Sequence, residues 1–179
     1  MPAMSAVTAR VRVVPVEDET TVRAVRALDV AQDQRRFVGD TAFNLGDTLR
    51  DLMSEAMAVL ADDTVVGFYR LDFTPRAVLG RDHAEPTVGL RAFMIDQRHQ
   101  GHGYGALAIA ACIDDLRLRY PGRRNLVLTV NHANPVAIRA YLRAGFDDTG
   151  ELFQGGSAGP QHVMQYRLQP TLSPQPPSR

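Results

Sequence analysis

The run Gln100-Gly101-His102-Gly103-Tyr104-Gly105 has the residue types of an anion cradle. An apolar stretch, Leu90 to Ile95, precedes it and reads as a strand; Ala106 to Ile113 follows and reads as the start of a long helix. Glycine lets a backbone come close to a ligand, and the first N–H groups of a helix have no partner inside it. Those free donors, at the positive end of the helix dipole, suit a phosphate or pyrophosphate. A phosphorylated cofactor is therefore expected at Gln100 to Gly105.

Spacing decides which cofactor. A dinucleotide fingerprint needs G-x-G-x-x-G, whereas here the glycines fall as G-x-G-x-G with Ala106 next and Ala at position 108. A P-loop needs a lysine, and all twenty basic residues of this chain are arginine. Both nucleotide motifs are poor fits. Ile95-Asp96-x-x-x-Gln100-Gly101-x-Gly103-x-Gly105 instead resembles the acyl-CoA-binding motif of the GNAT superfamily of N-acetyltransferases. A second run, Asn131-x-x-Asn134-x-x-Ala137-x-x-x-Tyr141-x-x-x-Gly145-Phe146, resembles that family's other motif, in the usual order and at the usual separation.

The resemblance implies acetyl-CoA as cosubstrate and no metal. Met94 and Ile95 would bond the pantetheine arm through their backbones, as an extra strand would. Gln100, Gly101, His102, Gly103, Tyr104 and Gly105 would hold the pyrophosphate, and Asn134 would contact the cofactor. An N–H at the end of the Phe93–Ile95 strand would polarise the thioester carbonyl. Tyr141 would be the general acid: a phenol with an ordinary pKa of about 10 stays protonated at neutral pH and can donate to the departing thiolate. Read without the motif, Tyr141 is a core aromatic between Ala137 and Ala144, and Asn134 a helix N-cap. Many relatives carry a basic glutamate early on the strand before the glycine turn, but here that position is Gly89. Glu85, Asp72, His132 and a chain of waters stay open as replacements. His99 and His102 sit on a turn with no clustered ligands, and Cys112 reads as packing rather than as a nucleophile.

These residues need elements to position them. Val11 to Val16 alternates as a strand, and Glu17-Asp18-Glu19 opens a helix reaching Leu28. Between Asp29 and Leu49 short helical pieces are expected around turns at Gly39-Asp40 and Gly46-Asp47. The irregular apolar residues Val30, Phe37, Val38, Phe43 and Leu45 suit either a cleft cover or a surface connection. Met57–Ala61 and Val65–Phe73 form a hairpin pair, and 74–86 is loop. Val88–Ile95 reads as a central strand covered on both faces. The helix from Gly103 carries Ile109, Ile113, Leu116 and Tyr120 as its buried stripe and stops at Pro121-Gly122. Leu126–Val130 is then a strand parallel to the previous one. Asn134-Pro135 starts a short helix to Ala144, and Phe146–Leu152 and His162–Leu168 close the fold. The class is α/β (α+β): a mixed, mostly antiparallel sheet with one parallel central pair joined by the cofactor helix. One domain is expected over 1–169, with a disordered proline-rich tail over 170–179.

Composition narrows the partners. Twenty basic and twenty acidic residues cancel, so no global field favours nucleic acid or a membrane. No stretch approaches the roughly 20 apolar residues of a span, and the single cysteine fits a reducing cytoplasm. The expected partner is a small-molecule amine acceptor; a homodimer is left open. Phrases such as Gln34-x-x-Phe37-Val38 and Phe93-Met94-Ile95-Asp96 resemble bacterial diamine and polyamine acetyltransferases. A polycationic acceptor needs a cleft lined with carboxylates. Alternatives are acetylation of a protein N-terminus, an amino acid or an aminoglycoside, or a non-catalytic acyl-CoA-binding sensor.

Overall fold

The computed structural model describes residues 9–169; residues 1–8 and the tail at 170–179 lie outside the described residues. In chain order the elements are β1 (Val11–Pro15), α1 (Glu19–Arg26), α2 (Arg35–Val38), α3 (Thr41–Arg50), β2 (Ser54–Ala61) and β3 (Thr64–Asp72). Then come β4 (Thr87–Ile95), a 3₁₀ turn (Gln97–His99), α4 (Tyr104–Arg119), β5 (Asn125–Asn131), α5 (Pro135–Arg143), β6 (Asp147–Phe153) and β7 (Gln161–Arg167). Among the described residues the strands form one sheet ordered β1-β2-β3-β4-β5-β7-β6, antiparallel except for the parallel pair β4–β5.

Local chemistry accounts for the ends. Asp18 caps α1, accepting from the Thr21 N–H at 2.8 Å, and Asp40 caps α3 through Phe43 N–H. Capping by Asp satisfies donors that the first turn leaves open. The β2–β3 hairpin turns on Asp62 and Asp63, with Asp62 at a φ of 52°. One sequence expectation is corrected: Gly46-Asp47 is not a turn but lies inside α3, because Leu45 and Thr48 on either side of it are buried and hold the helix to the sheet.

Each face of the sheet has its own core. Ile109, Cys112, Ile113 and Leu116 of α4 pack on Met57, Tyr69, Leu71, Val88 and Leu90 on one face. The other face holds Val25 of α1 and Leu45 of α3 against Ala58 and Phe68. The strand β4 is not covered throughout: Arg91 is exposed, while Val88 and Leu90 are buried.

Two irregularities in β4 shape the cleft. Phe68 pairs with Met94 and Arg70 with Arg91, so two steps along β3 are matched by three along β4. That is a β-bulge, and Ala92 within it has a φ of 53°. A bulge shifts side-chain parity by one. Val88 and Leu90 face the α4 core before it; Phe93 and Ile95 face the same core after it. Secondly, β4 pairs with β5 only at Thr87–Asn125, Val88–Leu126 and Gly89–Val127. Beyond Gly89 the two parallel strands part.

The end of β4 is anchored by Asp96, whose side chain is fully buried. It accepts from the backbone N–H of Asp29 and Arg98 and from the Arg98 guanidinium, all at 2.8–2.9 Å. Those bonds, the Arg98 side chain foremost, lower its pKa to about 2. A carboxyl with a lowered folded-state pKa stabilises the fold fully above its unfolded value, and that contribution fades as pH falls toward the folded value. Stability of the wild-type chain should therefore drop between about pH 4 and pH 2. Asp96→Asn should be less stable at pH 7 by about 2 kcal/mol and should show a flatter slope in that window. Urea denaturation across the pH range measures both; an unchanged slope would remove Asp96 as the titrating anchor.

Candidate active site

The glycine turn becomes a cradle by its backbone. Gly101 and Gly103 have φ values of 80° and 79°, in the left-handed region that costs an L side chain. Gly103 is the N-cap of α4. Among the described residues no backbone or side-chain acceptor takes the N–H groups of Gly101 to Gly105. They stand open at the end of a 16-residue helix, as an anion needs. The turn is braced by Gln100, whose side-chain amide donates to Ile95 O at 2.9 Å and to Gln34 Oε1 at 2.8 Å.

A cavity of about 590 Å³ runs from this cradle along β4. Met94, Ile95, Gln100, Gly101, Gly103, Tyr104, Gly105, Asn134 and Tyr141 all line it. His102 does not: its ring stacks on Tyr104, with Nδ1 3.0 Å from the carbonyl oxygens of His99 and Gln100. Only its backbone belongs to the cradle. On their β3 side Met94 and Ile95 are paired; on the β5 side the parted strand leaves an open edge for an extended ligand.

The helix α5 carries the phenol. Asn134 Oδ1 accepts from Ala137 N–H at 3.3 Å, with Pro135 at the first helical position. Asn131, three residues earlier, accepts from Ala133 N–H and donates to Ala158 O, both at 2.8 Å. It thereby ties the start of α5 to the β6–β7 loop. Tyr141 sits edge-on to Phe93 and Phe146, with ring centroids 6.4 and 5.4 Å away. Burial, with the Cys112 thiol as a smaller cause, raises its pKa above the ordinary phenol value. The proton is therefore held at neutral pH. Cys112 itself is fully buried and pushed up to about 12, chiefly by desolvation, so it is a thiol rather than a nucleophilic thiolate.

A second cavity, about 550 Å³, opens on the opposite side of the parted strands. Arg36, Phe37, Val38, Phe93, Asn134, Ala137 and Tyr141 belong to both. The two spaces meet at the Tyr141 ring. Of the irregular apolar residues between Asp29 and Leu49, Phe37, Val38 and Phe43 wall the second cavity, whereas Leu45 is core. That segment covers the cleft. Sequence reasoning missed the charged groups here, because β3–β4 register pairs Arg70 with Arg91 and only helix packing adds Arg36 and Asp47.

Residues 16–146 match the model of the Acetyltransferase (GNAT) family. The chain belongs to the GNAT acetyltransferase family. It is 31% identical to the spermine/spermidine N(1)-acetyltransferase of Bacillus subtilis (strain 168) over 129 residues, 72% of this chain and 83% of that protein. The uncharacterized N-acetyltransferase YbbJ of the same strain is 24% identical over 80% of this chain and 89% of its own length. Among solved structures, spermidine N-acetyltransferase from Vibrio cholerae with CoA and spermine superposes with a TM-score of 0.66 at 15% identity, covering 88% of this chain and 95% of that one. Aminoglycoside acetyltransferase AAC(6')-Ib with ribostamycin and coenzyme A gives 0.70 at 16% identity, covering 92% and 99%. This GNAT chain is an N-acetyltransferase dependent on acetyl-CoA.

Within the GNAT fold the position of the usual glutamate is closed. A Cβ at Gly89 would lie 2.6 Å from Val78 Cγ2 and 3.2 Å from both Ala77 Cβ and Asp72 Cβ. The 74–86 loop packs onto the strand there. None of the three replacement bases enters either cavity. Glu85 bonds Asn125 and Arg167 away from the cleft. Asp72 is buried, accepting from the Thr74 N–H and hydroxyl. His132 is exposed, with Nδ1 3.2 Å from Pro160 O.

Two outcomes test this geometry. Gly103→Glu should put a charge on the cradle and weaken CoA at least tenfold, about 1.4 kcal/mol, in calorimetric titration. Gly103→Asn, which tolerates a positive φ, should lose much less and so separates charge from backbone strain. Installing the usual glutamate, Gly89→Glu, should destabilise the fold by about 1–3 kcal/mol through overpacking without raising turnover. A stable Gly89→Glu variant with faster thiol release would show that the loop yields.

Proposed function

We propose that this chain transfers the acetyl group of acetyl-CoA to a primary amine by direct attack, with Tyr141 as the general acid. The amine nitrogen bonds to the thioester carbonyl carbon, the carbon–sulfur bond breaks, and the thiolate takes the Tyr141 proton. The observation that carries the reading is that Tyr141 stands where the two cavities meet, with its proton held by burial. The open cradle and the unpaired edge of Met94 and Ile95 support a cofactor on one side and an acceptor on the other. With no ionisable group at position 89, the proton lost by the attacking amine passes to water, and water returns a proton to the Tyr141 phenolate. A protonated phenol that lines both cavities favours catalysis over a non-catalytic sensor.

The relatives named for spermine and spermidine make a polyamine the first acceptor to consider. A polycation is held by carboxylates, and the acceptor-side wall carries one, Asp47, bonded to Arg70 at 2.6 Å. The wall thus supports an amine, but not a polycation in particular.

Tyr141→Phe removes the proton and keeps the ring against Phe93 and Phe146. Its kcat in free-thiol release should fall roughly 10²–10⁴-fold, while CoA affinity and melting temperature stay near wild type. An unchanged kcat in a stable variant would transfer the acid role to water.

A further inference from the structure

The charges on the acceptor-side cavity point to a substrate class. Its wall carries three arginines, Arg36, Arg70 and Arg91, against the single carboxylate of Asp47. Arg70 is consumed by the fold. Its guanidinium is bonded to Asp47 at 2.6 Å, Asp51 at 2.8 Å and Ser54 Oγ at 3.1 Å, with the side chain 11% exposed. Asp47 gives one oxygen to that pair and keeps the other open, its side chain half exposed.

Arg91 is different. It lies directly across from Arg70 in the β3–β4 register, an unfavourable placement for like charges unless each has a use. Its one ion pair is a long contact, 3.5 Å from Nη1 to Asp72, and half of its side chain is exposed. Asp72 has already given its other oxygen to Thr74. A guanidinium offers five donors in a planar fork that matches a carboxylate with two parallel bonds, and most of Arg91's fork is unused. Arg36 makes no ion pair among the described residues and rests on the Phe37 ring at 4.6 Å. The rest of the wall mixes the aromatic rings of Phe43, Phe93 and Phe153 with the polar side chains of Asn44, Asn131, Ser157 and Gln161.

We infer that the acceptor is a primary amine that also bears a carboxylate, an amino-acid-type substrate whose carboxylate is bound by Arg91. The inference rests on the reading of the chain as an amine acetyltransferase. Arg91 and Tyr141 line the same cavity, which puts a partner for the carboxylate and the phenol on one acceptor space. A second ammonium group placed there would meet Arg91 and Arg36, with the open oxygen of Asp47 as the one carboxylate partner in that wall.

The test uses the full chain, acetyl-CoA and matched amines differing only in the carboxylate: phenylalanine with phenethylamine, tyrosine with tyramine, leucine with isoamylamine. Spermidine and phosphoethanolamine are added as the polycation and the phosphate-bearing amine. Thiol release gives kcat/KM for each, and calorimetry on the CoA complex gives affinity where turnover is slow. The carboxylate-bearing member of at least one pair should lead its partner by tenfold or more and should lead spermidine. Arg91→Gln should erase that lead by raising KM for the amino acid about tenfold, leaving its decarboxylated partner and acetyl-CoA unaffected; Arg91→Lys should restore part of it. Equal use of both members, or a preference for spermidine or phosphoethanolamine, overturns the inference while leaving amine acetylation intact. A chain that binds no acetyl-CoA overturns the function, and this inference with it.

Discussion

Everything at the site depends on two parallel strands that stop pairing. Backbone N–H and C=O groups are obligatory hydrogen bonders, and the interior of a sheet normally leaves none unmet. After Gly89 and Val127 the strands β4 and β5 separate, so Met94 and Ile95 keep partners on one side and lose them on the other. An unpaired edge in the middle of a sheet is a binding surface. The two cavities adjoin at this edge, with Phe93 and Tyr141 in the lining of both. The bulge at Ala92 then lets Phe93 and Ile95 return to the α4 core although Leu90 before them faces the same way.

The helices serve this gap from either side. The cradle of α4 needs no charged side chain, since its donors are backbone groups left open by two left-handed glycines. The helix α5 is set by two asparagines, one capping it and one fastening its start to the β6–β7 loop. The phenol on α5 is thus delivered by short local motifs, and burial then sets its protonation.

That division explains what was legible beforehand. The cradle, Asn134 and Tyr141 are local patterns, readable because glycine, asparagine and proline have fixed conformational uses at helix starts. Strand identity and the parallel pair came from apolar runs and a crossover helix. The parting of β4 and β5 was not legible, because all of β4 reads as one apolar strand until Arg91. The steric closure over Gly89 was equally hidden, since Val78 and Ala77 reach it from a loop without periodicity. Arg36, Asp47, Arg70 and Arg91 belong to different elements and meet only through register and packing. Gly46-Asp47 misled as a turn signal because burial of its helical neighbours outweighs glycine's preference.

The reciprocal amide pair of Gln34 and Gln100 has a bearing on how kinetics of this enzyme are to be interpreted. Gln100 belongs to the glycine turn, and Gln34 stands at the start of the short helix whose Arg36, Phe37 and Val38 line both cavities. The link is uncharged, so it persists across the pH range in which carboxylates and histidines titrate. On the proposed assignment of cofactor and acceptor, the two sites are consequently not independent variables. A substitution at either glutamine perturbs a wall of each, and an altered Michaelis constant for one substrate cannot be assigned to that substrate's own contacts.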